Sequence, residues 1–143
     1  MNETIFNKII EKLKTLDSLK DDSGDSRVYD YMNPDPDGYP AVMVRYTETE
    51  SRALDTDSDA VEYRYIITLM QEKMSENFGP SKAERVTRER EYEIAELFRN
   101  DSTLGLSGVK KTTPIRAVKT YTADGARIVL DIDLGADTIE EIK

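Results

Sequence analysis

The 143-residue sequence contains no cysteine and no histidine. The first absence excludes a disulfide framework and thiolate metal sites, and fits a reducing compartment. The second removes the commonest general base and the commonest metal ligand together. Bases are outnumbered: 20 Lys and Arg stand against 29 Asp and Glu, a formal charge of −9. Such a balance disfavours electrostatic binding to nucleic acid or anionic lipid, which needs Lys/Arg patches. No apolar run approaches the ~18 residues of a membrane span. Met1-Asn2-Glu3-Thr4 carries no basic region ahead of its apolar residues, so no signal peptide is expected. The expectation is a soluble, intracellular, acidic protein. At this length residues 1–143 are expected to form a single domain.

What is present reads as alternating helix and strand signals. From Asn2 to Leu16, the residues Ile5, Phe6, Ile9, Ile10, Leu13 and Leu16 recur at helical spacing, opposite Lys8, Glu11, Lys12 and Lys14. The cluster Asp21-Asp22-Ser23-Gly24-Asp25-Ser26 breaks that helix. Val28-Tyr29-Asp30-Tyr31 predicts a short strand, and the two prolines of Asn33-Pro34-Asp35-Pro36-Asp37-Gly38 a rigid turn. Stronger strands are predicted over Ala41–Tyr46 and Glu62–Met70, pairing antiparallel. Ser81 to Asn100 predicts a second helix, with Gly79-Pro80 before it and a Ser81/Glu84 capping box. Its apolar stripe is Ala83, Val86, Ile94, Ala95, Leu97 and Phe98, interrupted by Arg88-Glu89-Arg90-Glu91. Those charges read as a solvated face, an overhang beyond the sheet, or a partner contact. The Ala123-Asp124-Gly125 turn joins strands over Thr113–Thr122 and Arg127–Leu134 into a hairpin. In the last of these Ile128, Leu130, Ile132 and Leu134 face one side, with Arg127, Asp131 and Asp133 on the other. The expected fold is α+β, a mostly antiparallel sheet of four to five strands with two helices on one face. Residues 135–143 are expected to form a tail.

Between the two stronger strands lies Thr47 to Ala60, an acidic stretch with Glu48, Glu50, Asp55, Asp57 and Asp59 against Arg52 and no glycine. It reads as a long connecting loop, and loops longer than ~12 residues are usually functional or disordered. The other carboxylate groupings suggest little chemistry. Asn33-x-Asp35-x-Asp37-Gly38 opens like a calcium loop but has Val44 at the twelfth position, where a bidentate Glu is required. Asp55-x-Asp57-x-Asp59 lacks the glycine, and has Ile66 at that position. Asp131 and Asp133 share a strand face as two-metal nucleases can arrange them, though a solvent-facing half of a strand explains them more simply. Neither Gly79-Pro80-Ser81-Lys82 nor Gly105-x-x-Gly108 has the context of a phosphate loop. No catalytic set, metal or cofactor is expected.

With Gly38-Tyr39-Pro40-Ala41-Val42-Met43-Val44 entering the second strand, the order of elements from Asn2 to Leu134 resembles the tail terminator (tail-completion) proteins of long-tailed bacteriophages. The resemblance implies a non-enzymatic virion protein, assembled in the host bacterial cytoplasm and located in the neck. It would form a hexameric ring on the head-proximal end of the tail tube and stop tube growth. Its implied partners are copies of itself, the tail tube protein, and the head–tail connector or head closure protein. DNA would pass through without specific binding, and no membrane is involved. Beside this, an acidic bore would repel a passing duplex, provided the acids lie within about one Debye length, ~8 Å, of it. Glu48, Glu50, Asp55, Asp57 and Asp59 are thus candidates for the lumen or for the adjoining ring. Tyr29, Tyr31, Arg88 and Arg90 are candidates for the subunit interface, with the Val28–Met32 segment as an exposed edge. Two other readings stand beside the terminator: another connector ring of a phage neck, and an acidic regulatory domain that mimics DNA charge.

Overall fold

A computed structural model describes residues 1–20, 23–72 and 80–141, so Asp21, Asp22 and Gly79 lie outside the described residues, as does the end of the expected tail. The chain runs α1 (Asn2–Leu13), a short 3-10 helix (Asp17–Leu19), β1 (Val28–Tyr29), β2 (Ala41–Ala53), β3 (Ser58–Glu72), α2 (Pro80–Asn100), β4 (Val109–Tyr121) and β5 (Arg127–Glu141). The strands form one five-stranded sheet in the order β1-β2-β3-β5-β4. Every pairing is antiparallel except the short parallel contact of β1 with β2. The fold is α+β, as expected.

Strand alternation sets the layers, since successive side chains point to opposite faces. Val42 and Val44 of β2, Tyr65, Ile67 and Leu69 of β3, and Leu130, Ile132 and Leu134 of β5 share one face. On that face they pack with Ile5, Ile9 and Leu13 of α1 and Ile94 and Phe98 of α2. The fourfold spacing of Ile5, Ile9 and Leu13 puts all three on one helical stripe, fully buried. Tyr65, also fully buried, carries a hydroxyl into this core; it donates to Asn2 Oδ1 at 2.6 Å while its ring stacks on Phe6. The hydroxyl needs that partner because an unpaired buried polar group is costly.

At one end of the opposite face a second cluster joins Ala41, Met43 and Met70 to Tyr29, Tyr39 and Val129. The segment 30–40 lies over it, clasped by Arg127, which donates to Pro34 O at 3.1 Å and meets Asp35 at 3.2 Å. Arg127 also lies over the Tyr39 ring, 5.4 Å from its centroid, and Arg27 meets Asp37 at 3.3 Å. The carboxylates that opened the calcium-like pattern thus sit in ion pairs that hold a turn.

Four expectations need correction. The stretch Thr47–Ala60 is no long loop: β2 and β3 continue through it to a turn at residues 54–57, with a bulge at Thr47. Residues 135–141 belong to β5 rather than to a tail, and β4 begins at Val109 rather than Thr113. Ser81 lies inside α2, which begins at Pro80, so it is not the N-cap that a capping box requires. Glu84 reaches Lys119 Nζ at 2.6 Å and the Tyr121 hydroxyl at 2.5 Å, tying α2 to β4. The Asp-Gly turn is as expected: Asp124 accepts from Ala126 N at 3.0 Å, and Gly125 supplies a φ of 72°.

Candidate assembly surface

Extended to Ala53 and Glu141, the strands make the distal half of the sheet a charged ribbon on the face away from the helices. Cross-strand register orders its side chains into rows. One row is Arg45, Ile66, Asp133 and Arg116; the next pairs Glu48 with Arg64 beside Gly135 and Thr113. Gly135 leaves the space that Ile115 uses, for a Cβ there would stand 2.9 Å from Ile115 Cδ1. The third row is Glu50, Glu62, Asp137 and Lys111. Three carboxylates stand side by side in it, a like-charge arrangement that costs stability and that Arg64, 2.5 Å from Glu62, partly offsets. Burial and a hydrogen bond to Glu62 hold the Asp137 carboxyl above its ordinary range. A groove of about 500 Å³ opens over this end, lined by Glu50, Arg52, Leu54, Glu62, Lys110 and Asp137 among others.

The five acids of the sequence reading do not act as one cluster. Glu48 lies 3.9 Å from Arg64 and, with Glu50, faces away from the helices. Asp55 sits in the turn, accepting from Asp57 N at 2.8 Å; both are exposed. Asp59 pairs in register with Ala53, on the helix side, and is half-buried. Of the interface candidates, Tyr29 and Tyr31 meet edge to face at 5.4 Å, Tyr31 being exposed. Tyr29 is half-buried, and burial, with Asp37 3.4 Å from its hydroxyl, raises its pKa. Arg88 is exposed. Arg90 points inward: it donates to Ser18 O at 3.2 Å and to Gln71 Oε1, and burial lowers its pKa. Arg90 is therefore committed within the chain.

Sequence reasoning missed Glu62, Arg64, Asp137, Lys110, Lys111 and Arg116. A signal was present in Thr47-Glu48-Thr49-Glu50-Ser51-Arg52, which alternates small hydroxyl and charged residues with the period of two of a strand. Among the described residues no group of three or more acids is arranged to hold a metal ion. No described helix is long and apolar enough to cross a membrane.

On the helix side of the ribbon, Tyr63 donates to Glu140 Oε2 at 2.7 Å. Burial, then that hydrogen bond, pushes its pKa up to about 12. An unfolded tyrosine titrates at about 10, so the folded state favours the protonated phenol. This contribution is whole below about pH 10 and is lost as pH rises through about 12. Tyrosinate absorbance should show a group titrating near pH 12 that Tyr63→Phe removes. A native Tyr63 titrating near pH 10 would mean that this end of the sheet is open to water.

The sequence matches no protein-family model, and no curated protein matches it. In structure the chain is similar to a chain described as "Virion of native gene transfer agent (GTA) particle", with a TM-score of 0.62 over 94% of each chain and 16% sequence identity. What the two chains share at that identity is the fold, over almost their full lengths.

Proposed function

We propose that this protein is a structural virion subunit, a tail terminator that forms a ring on the head-proximal end of a tail tube. There it stops polymerisation and offers a surface to the head connector. The observation that carries this reading is the shared fold with a virion-particle chain, which spans both chains almost end to end. The Tyr39–Val44 segment supports it, entering β2 as the resemblance to tail terminators requires. So do two long sheet edges without strand neighbours among the described residues, a form suited to contact between subunits. Each copy brings a charge of −9, so a ring would repel duplex DNA wherever its acids border the channel. Asp55 and Asp57 are exposed at the β2–β3 turn, which supports a role for them at the bore or the adjoining ring.

The charge-mimic alternative fits less well. A mimic of DNA presents an unbroken run of carboxylates, whereas Arg45, Arg64 and Arg116 interleave with the acids here. In the absence of His and Cys nothing supplies a nucleophile–base pair of the ordinary kind. Location is the direct test. A tagged copy incorporated during virion assembly should be seen by electron microscopy between head and tail, as a ring around the channel. A tag found on the capsid shell or the tail tip, or absent from particles, would overturn the proposal.

A further inference from the structure

Among the described residues, β2 beyond its short contact with β1, and β4, leave two edges without strand neighbours at opposite sides of the sheet. β1 covers β2 only at Val42 and Met43, so among the described residues the outer side of β2 from Val44 to Ala53 has no strand neighbour. The outer side of β4 has none along Val109–Tyr121. β4 carries Lys110, Lys111, Arg116 and Lys119 and no acid. Lys119 is held by Glu84, but none of the other three is ion-paired among the described residues. From Glu48 onward, β2 and the turn after it carry Glu48, Glu50, Asp55 and Asp57 against Arg52, with Arg45 at the proximal end of the free stretch. Apolar surface accompanies both: Tyr46 on β2, and Ile115, Val118 and Tyr121 on β4, are exposed.

From this complementarity we infer that the basic outer edge of β4 in one copy lies beside the acidic distal edge of β2 in the next. The inference rests on the ring reading above and names the contact that would close the ring. It also answers the carboxylate row. Within one chain Lys111 stands at the β4 end of the row and Arg64 pairs with Glu62 at 2.5 Å, while Glu50, at the β2 end, has no ion pair among the described residues. A neighbour's β4 set against β2 places a base at the other end. Charge also favours the geometry: β4 against β4 would oppose base to base, whereas β4 against β2 sets those bases against the acids of the distal edge and turn. The contact is therefore head-to-tail, the type that generates rings when its rotation closes. Pro114 offers no N–H, and bulges interrupt the β4 ladder at Lys110 and Ile115. The edges accordingly meet through side chains rather than through an unbroken backbone ladder.

The lack of native cysteine makes the test direct. Ser51→Cys marks β2 and Ala117→Cys marks β4, both at exposed positions. A mixture of the two variants, treated with a spaced bismaleimide, is expected to yield a covalent dimer. Either variant alone is expected to yield about tenfold less. Adding Glu48→Lys and Glu50→Lys to the β2-marked copy should weaken the mixed product about tenfold at low salt, a loss set by two exposed ion pairs. Adding Lys110→Glu and Arg116→Glu to the β4-marked copy should then restore it. Circular dichroism of each variant confirms that the fold is kept. Equal cross-linking by one variant alone, no mixed product at millimolar protein, or no restoration by the double swap would each overturn the contact. Cross-linked copies that leave tube length unchanged would retain this contact and remove the terminator role, so the two can fail separately.

Discussion

Phe98→Ala is expected to lower the free energy of unfolding by about 3–5 kcal/mol, the range for truncating a buried aromatic side chain. Phe98 is 1% exposed and belongs to the core that joins α2 to β3 and β5. The cavity left by the ring cannot collapse easily, because Ile94 on the same helix and Leu130 and Ile132 on the sheet are held by their own packing. Domains of this size have about 5–15 kcal/mol in total, so the variant should sit near the edge of folding. Tyr92, 65% exposed on the same helix, is the control, and Tyr92→Ala should change stability by no more than about 0.5 kcal/mol. Urea unfolding reads both. A loss under about 1 kcal/mol for Phe98→Ala would mean that α2 does not dock on the sheet.

Arg90→Ala is expected to cost about 2 kcal/mol, the scale of hydrogen bonds made by a charged group, while Arg88→Ala costs almost nothing. The two arginines are one helical half-turn apart in the same charged run. Arg90 ties α2 to the 3-10 helix through Ser18 O and to β3 through Gln71, which is itself buried. Its removal leaves both acceptors without that donor in a half-buried site. Ser18 also donates its hydroxyl to Glu93, so the loss reaches the neighbouring polar pair. Arg90→Met separates the contributions, since an apolar side chain of similar length keeps the packing and loses only the hydrogen bonds. It should fall between wild type and Arg90→Ala in urea midpoint. Equal stabilities for Arg88→Ala and Arg90→Ala would place both arginines in solvent and contradict the inward path of Arg90.

These two sites show what the sequence disclosed and what it did not. Ile5, Ile9 and Leu13 at fourfold spacing predict α1 because a buried stripe needs apolar residues and nothing else competes there. The alternation from Ile128 to Leu134 predicts a half-covered strand, and Asp124-Gly125 its turn, for equally local reasons. Arg90 was not legible as an inward residue: a guanidinium in a charged run looks solvated, and only tertiary packing brings Ser18 and Gln71 within reach. The distal ribbon was missed because it buries little apolar surface; Val61 and Val109 are its main buried hydrophobic side chains. Thr, Ser, Glu and Arg alternate there without the hydrophobic face that announces a strand. Gly135 and Ala136 are poor strand formers, and they hid nearly half of β5. The carboxylate row depends on register across three strands, which no single segment encodes. The candidate surface was thus visible as acidic composition, not as geometry.

The proposed action of this chain is through shape and self-association at the end of a tail tube. Purified protein added to polymerising tube subunits, with tube lengths read by electron microscopy, tests this most directly. The predicted result is a population of short tubes, each bearing a ring at one end and no longer elongating when more tube subunit is supplied. Tubes that keep growing, with a length distribution unaffected by the protein at saturating ratios, would contradict it.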